Sequence, residues 1–168
     1  MTNWCENQLH FDCSEQEFEE KIRPLLKGRD SNGEERELTF NALIPMPAHI
    51  YRGDVGEDVR KTYGKNNWYD WSCEHWGTKW DADQYSVRVD PGCVQFSTAW
   101  NPPRAWLEVL AEALAPLGIE AHMDYYVEGG FPGSLGAYDL TGGEVLLGDV
   151  DEEFAEIYAD DDDEEEEE

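Results

Sequence analysis

Four of the chain's seven tryptophans fall within the sixteen residues from Asn66 to Asp81, NNWYDWSCEHWGTKWD. A tryptophan or tyrosine buries roughly 150–250 Å² when it packs, so this cluster can dominate the energy of a small domain. Any fold the chain adopts must house Trp68, Trp71, Trp76 and Trp80, with Tyr69 beside them. Two arrangements do so. The indoles form a core plug rimmed by Asp70, Cys73, Glu74, His75 and Asp81. Alternatively, Trp68, Trp71, Trp76, Lys79 and Trp80 line an aromatic pocket that grips a ligand or partner.

The flanking segments read more simply. Over residues 3–13, Cys5, Leu9, Phe11 and Cys13 share one parity, while Glu6, Gln8, His10 and Asp12 share the other. That alternation predicts a strand with one face on a core. Ser14 and Glu17 form a capping box, and Phe18, Ile22, Leu25 and Leu26 repeat at helical spacing, with Pro24 as an interruption. Residues 29–36 read as a polar loop, 38–44 as a short strand stopped by Pro45, and 57–63 as a short helix. YSVRV and CVQFSTA flank Asp90-Pro91-Gly92, a strong tight-turn signal. Asn101 is a candidate cap for a helix whose stripe is Trp106, Leu107, Leu110 and Leu114, ended by Gly118. A strand over 119–128, a glycine-rich bend and a hairpin, AYDL and EVLL around TGG, complete the pattern.

With residues 29–84 set aside, the order is β-α-β-β-α-β. The expected class is α+β, a ferredoxin-like split β-α-β arrangement with two helices on one face of an antiparallel sheet. The expected domain spans 1–147, with a tryptophan-rich insertion at 43–84. An acidic helix at 148–159 and a disordered acidic tail at 160–168 follow. The second sheet face needs a cover, for which the insertion and the C-terminal hairpin are the candidates.

Five stretches, taken together, resemble one known group. They are Asn3–Asn7 (NWCEN), Asn41–Pro47 (NALIPMP), Trp76–Asp81 (WGTKWD), Phe96–Pro103 (FSTAWNPP) and Tyr126–Gly129 (YVEG). In this order they resemble the YubB ferredoxin-like family of plasmid and phage proteins, a domain of unknown function, over roughly residues 1–147. The resemblance implies the ferredoxin-like fold and a mobile-element origin. It supplies no activity and no catalytic residues, and the acidic helix and tail look like additions to the pattern.

Charge narrows the function classes. The net charge is −27, from 39 acidic and 12 basic residues. The segment 160–168 is wholly acidic, yet the remaining 159 residues still set 30 acidic side chains against 12 basic ones. Phosphate backbones are repelled by such a surface, so direct nucleic-acid binding is not expected, whereas basic proteins are favoured partners. The candidate partner-binding residues are Asp149, Asp151, Glu152, Glu153 and Glu156 on the acidic helix, then Asp160 and Asp161. The four cysteines form no CxxC pair. The N-terminus does not read as a signal peptide and no apolar run suits a membrane span, so a reduced, cytoplasmic location is expected; the family resemblance implies that the cell is a bacterial host.

Chemistry is harder to assign. Glu6, His10 and Asp12 share one strand parity, and His122, Asp124 and Glu128 share another. If the two sets meet, they form a polar cluster suited to a divalent metal or to acid–base work, or simply a solvated surface. No P-loop, GxSxG or HExxH occurs, nor a GxGxxG after a strand, so no catalytic residue, metal ligand or cofactor is assigned. A Cys73–His75 nucleophile pair rests on spacing alone, and Lys79 is a candidate ion-pair partner for Glu6 or Asp81. Three functions remain open. The leading one is an acidic interaction protein that mimics nucleic acid to block a host defence or DNA-handling complex. A small-ligand or protein-binding module using the tryptophan pocket is the alternative, and an enzyme using the polar cluster is the third.

Overall fold

Strict alternation builds the first strand, β1 (Trp4–Asp12): Cys5, Asn7, Leu9 and Phe11 are buried, and Trp4, Glu6, Gln8 and His10 between them are half-exposed. The structure, a computed structural model, describes residues 2–163, with side chains through Ala159. Ser14 caps the following helix, its hydroxyl accepting from the Glu17 N–H while the Glu17 carboxylate accepts from the Ser14 N–H. The helix then runs as α1 (Glu15–Glu17), a π turn (Phe18–Ile22) and α2 (Arg23–Leu26). Pro24 accounts for the π turn. It has no N–H for the Glu20 carbonyl and its ring crowds that oxygen, so the ladder widens and Arg23 N–H bonds Phe18 O instead.

The insertion departs from expectation in two places. Residues 29–36 are not a plain loop but a small ribbon of β2 (Gly28–Arg29) and β3 (Glu35–Arg36). Asp30 tightens its turn by accepting from the Asn32 and Glu34 N–H groups and from Arg36. The segment 38–44 is not a strand but holds a 3₁₀ turn (Phe40–Ala42). Its polar groups find partners outside any ladder: Phe40 N–H and the Thr39 hydroxyl donate to Asp81, and Asn41 bridges Arg29 O and Met46 N–H. Next come α3 (Glu57–Tyr63) and α4 (Trp68–His75), the latter capped by the Asn67 side chain. Gly77, at φ 84°, turns the chain out of α4. A side chain there would press on the Arg104 and Ala105 backbone.

β4 (Arg88–Asp90) and β5 (Cys93–Ala99) form the predicted hairpin, although β4 is shorter than 85–89 because Ser86 turns back onto Asp83 O. α5 (Arg104–Leu114) starts later than expected, with Pro103 at its N-cap. Asn101 does not cap it; its amide donates to the Gly77 and Pro102 carbonyls instead. Then follow β6 (Glu120–Val127), β7 (Leu135–Thr141), β8 (Glu144–Leu147) and α6 (Glu152–Asp163).

Six strands form one antiparallel sheet in the order β4-β5-β1-β6-β7-β8. The connection from β1 to β4 passes over β5, and the connection from β5 to β6 passes over β1. Each crossover therefore leaves one strand between its ends, the split β-α-β pattern within an α+β fold. Leu9, Val94, Phe96, Met123 and Leu140 turn one sheet face to Phe18, Ile22 and Leu26 of the first helix and to Trp106, Leu107, Leu110 and Leu114 of α5. Burying each such side chain contributes about 1.5–3 kcal/mol. Trp71 and Trp76 join this same cluster, with Phe40 packed edge-on to Trp76 and Phe96.

The second face is covered by neither expected candidate. The insertion lies on the helix side, and the β7–β8 hairpin lengthens the sheet. α6 is the cover: Phe154 is 4% exposed, and Tyr158 stacks on Tyr126 of β6 with ring centroids 4.4 Å apart. Its helix also continues to Asp163, so 160–163 are helical where disorder was expected. Residues 164–168 of the expected tail lie outside the described residues.

Candidate functional site: the tryptophan pocket and the docked acidic helix

The tryptophan stretch is both core and pocket. Trp76 is 2% exposed, its indole N–H donating to Ile44 O and its ring packed edge-on against Trp71. Trp71 faces the core and stacks on His75, and it does not line the cavity as expected. Trp68, Trp76, Lys79 and Trp80 do line a concavity of about 300 Å³, together with Asp30, Asn32, Met46, Arg52, Asp81 and Gln84. Its wall is fixed by Asp81, which accepts from the Thr39 hydroxyl and from the Phe40 and Ala82 N–H groups. Burial pushes the Asp81 carboxyl above its ordinary range, and those hydrogen bonds only partly offset the effect.

Lys79 pairs with neither Glu6 nor Asp81. Its ammonium lies over the Trp80 and Trp100 rings, 4.3 and 4.7 Å from their centroids, and Trp4 of β1 leans on Trp80 at 6.1 Å. Glu6 instead accepts from the Ser97 hydroxyl. Trp100 is the one non-glycine residue at positive φ among the described residues, at 70°. Such a backbone costs about 1–3 kcal/mol; the Trp100 N–H holds it by donating to Asn3 O. The sequence signalled Lys79 and Trp80 but gave no sign that Trp4 and Trp100 would meet them, since that contact spans three separate segments.

The acidic helix is built on a buried carboxylate. Asp124 is 0% exposed, and its Oδ1 accepts from the Asp151 N–H at 3.0 Å and pairs with His122 Nε2 at 2.9 Å. Asp151 in turn caps α6, its carboxylate accepting from the Glu153 and Phe154 N–H groups. Of the expected contact residues, Asp149, Glu152, Glu153 and Glu156 are exposed on or beside α6, and Asp151 is exposed but committed to the cap. Asp160 and Asp161 continue the helix, and their side chains lie outside the described ones.

The polar cluster assembles differently from the expected set. The register sets His10 opposite His122 and Gln8 opposite Asp124. His122 is held from both sides, by Asp124 and by Asp139 of β7, whose Oδ1 is 2.6 Å from Nδ1. Both ring nitrogens are thus engaged, and Asp139 is a partner that sequence reading missed. Burial alone would lower the His122 pKa, but hydrogen bonds to Asp139 and Asp124 and their charges outweigh it and raise it. No three His, Cys, Asp or Glu side chains among the described residues come together as a metal-binding set. Cys73 and His75 do not pair either: burial raises the Cys73 thiol, and His75 Nδ1 faces Trp71 O. Cys5 is pushed up to about 12 by burial, as an inert core thiol should be.

No family model, curated protein or solved structure matches the chain. No helix among the described residues is long and apolar enough to cross a membrane.

Proposed function

We propose that this chain is an acidic interaction protein of a phage or plasmid, acting in a bacterial host's cytoplasm on a basic surface. The partner we favour is a defence or DNA-handling complex that ordinarily holds nucleic acid. One observation carries the reading: α6 is not a loose acidic tail but is fixed to the sheet by Phe154, Tyr158 and the Asp124–Asp151 bond. Asp149, Glu152, Glu153 and Glu156 are therefore presented on a rigid support. Fixed carboxylates offer spaced negative charge with little further ordering cost on binding, as a phosphate backbone does. The motif resemblance to plasmid and phage proteins supports the setting.

The test is retention of bacterial nucleic-acid-handling proteins on the immobilised full chain, eluted by salt and competed with DNA. The variant D149N/E152Q/E153Q/E156Q keeps the Asp151 cap and the side-chain shapes. It should melt like the parent and lose DNA-competed retention. Equal retention of parent and variant at low salt sinks the proposal. A second reading, a small-ligand module, is favoured by a separate observation: the cavity of about 300 Å³ beside Trp68, Trp76 and Trp80.

A further inference from the structure

We infer that the tryptophan pocket takes a flat, one- or two-ring aromatic molecule bearing a single negative charge, such as an aromatic carboxylate, with Lys79 as its counter-ion. The inference rests on the small-ligand reading of the pocket and is independent of the acidic helix.

Elimination points to Lys79. Most polar groups around the cavity already have internal partners. The Arg52 guanidinium donates to the carbonyls of Met46, Pro47, Ala48 and Ile50. Asp81 and Asp30 each accept three or more hydrogen bonds from neighbours. The Trp68 and Trp76 indole N–H groups go to Gly53 O and Ile44 O, and the Gln84 amide donates to Leu38 O and Ala82 O. Of the two cations in the lining, Arg52 and Lys79, Lys79 is the one left without such partners. It is half-buried, and among the described residues it donates no hydrogen bond and has no carboxylate within 4.0 Å. Its ammonium lies over two indole faces, which attract the charge but accept none of its three N–H groups in the geometry a carboxylate offers.

The apolar part of the lining is largely aromatic, Trp68, Trp76 and Trp80 with Met46 and Ala82. Indole faces favour a flat ring, and a volume of about 300 Å³ suits a small one. The charge of the whole chain limits the ligand further. At −27 it repels polyanions, so one negative charge met by one ammonium fits where a polyphosphate does not. A cationic aromatic would set its charge against Lys79.

The experiment uses the full chain, titrated with 2-naphthoate, its neutral isostere 2-naphthamide and the cation 2-naphthylmethylammonium. Tryptophan fluorescence and calorimetry both read the binding. A hydrogen bond to a charged group predicts that naphthoate binds about tenfold or more tightly than the amide, with the cation weakest. Lys79→Met should reduce naphthoate to the level of the amide and leave the amide unchanged, while Lys79→Arg retains the preference. Lys61→Met, which makes the same change in net charge away from the pocket, should leave all three unchanged. Equal binding of the three probes, or a preference that survives Lys79→Met, overturns the anion inference while the pocket reading stands. Failure of every probe to bind overturns both.

Discussion

His122 is held by a carboxylate on each side, and one of them, Asp124, also accepts from the N–H of Asp151, the residue that caps α6. Its raised pKa has a definite sign. The stabilisation is complete below the unfolded-state value, roughly 6.5, and is lost as pH rises through the higher folded value. Asp12, Glu120 and His10 border the same hollow. The melting temperature of the parent should therefore fall as pH rises above about 6.5, and His122→Gln should flatten that slope. Identical slopes would show that the pair of carboxylates is not stabilising the fold through the imidazolium. Within the tryptophan stretch, residues differ by their surroundings. Trp76→Ala should cost about 3–5 kcal/mol in chemical denaturation. Trp80, at 39% exposure, should cost clearly less. Equal losses would contradict the division of the stretch into core and pocket.

At the scale of elements, the strands and the two core helices were legible because their signals are local. Cys5, Leu9 and Phe11 alternate, Ser14 and Glu17 reciprocate, and Trp106, Leu107, Leu110 and Leu114 recur at helical spacing. The misread segments are those whose backbone is satisfied from a distance. Residues 38–44 carry strand-like side chains, yet Asp81, some forty positions on, takes Thr39 and Phe40 out of any ladder. Asn101 looks like a cap and is diverted to Gly77 O. The acidic helix was legible as a helix, but its role as the cover of the sheet was not. That role depends on Tyr158 stacking on Tyr126 across the chain, with Phe154 packed against Tyr158. Phe154→Ala should raise amide hydrogen exchange in α6 and around Tyr126 while β1 and β5 stay protected. Faster exchange throughout the sheet would mean that α6 is integral to the fold rather than docked on it.

For the whole molecule, the charge is a destabilising field as well as a recognition signal. Self-repulsion at −27 is screened by salt, with a Debye length of about 10 Å at 0.1 M. The melting temperature should rise as sodium chloride goes from about 0.02 M to about 0.5 M. A flat response would show that the carboxylates are too widely spread to repel. The candidate site was half legible at this scale. Trp68, Trp76, Lys79 and Trp80 come from one stretch and could be read together, whereas Trp4 and Trp100 reach them only once β1 and β5 are paired.

The position of α6 in the chain sets an order of events during synthesis. Every strand precedes it, so the whole sheet emerges from the ribosome before the helix that shields its second face. Until 152–163 follow, Tyr126 and the Asp124 carboxylate are bare to water and to other nascent chains. The last helix thus acts as a closing seal on strands that all precede it in the chain.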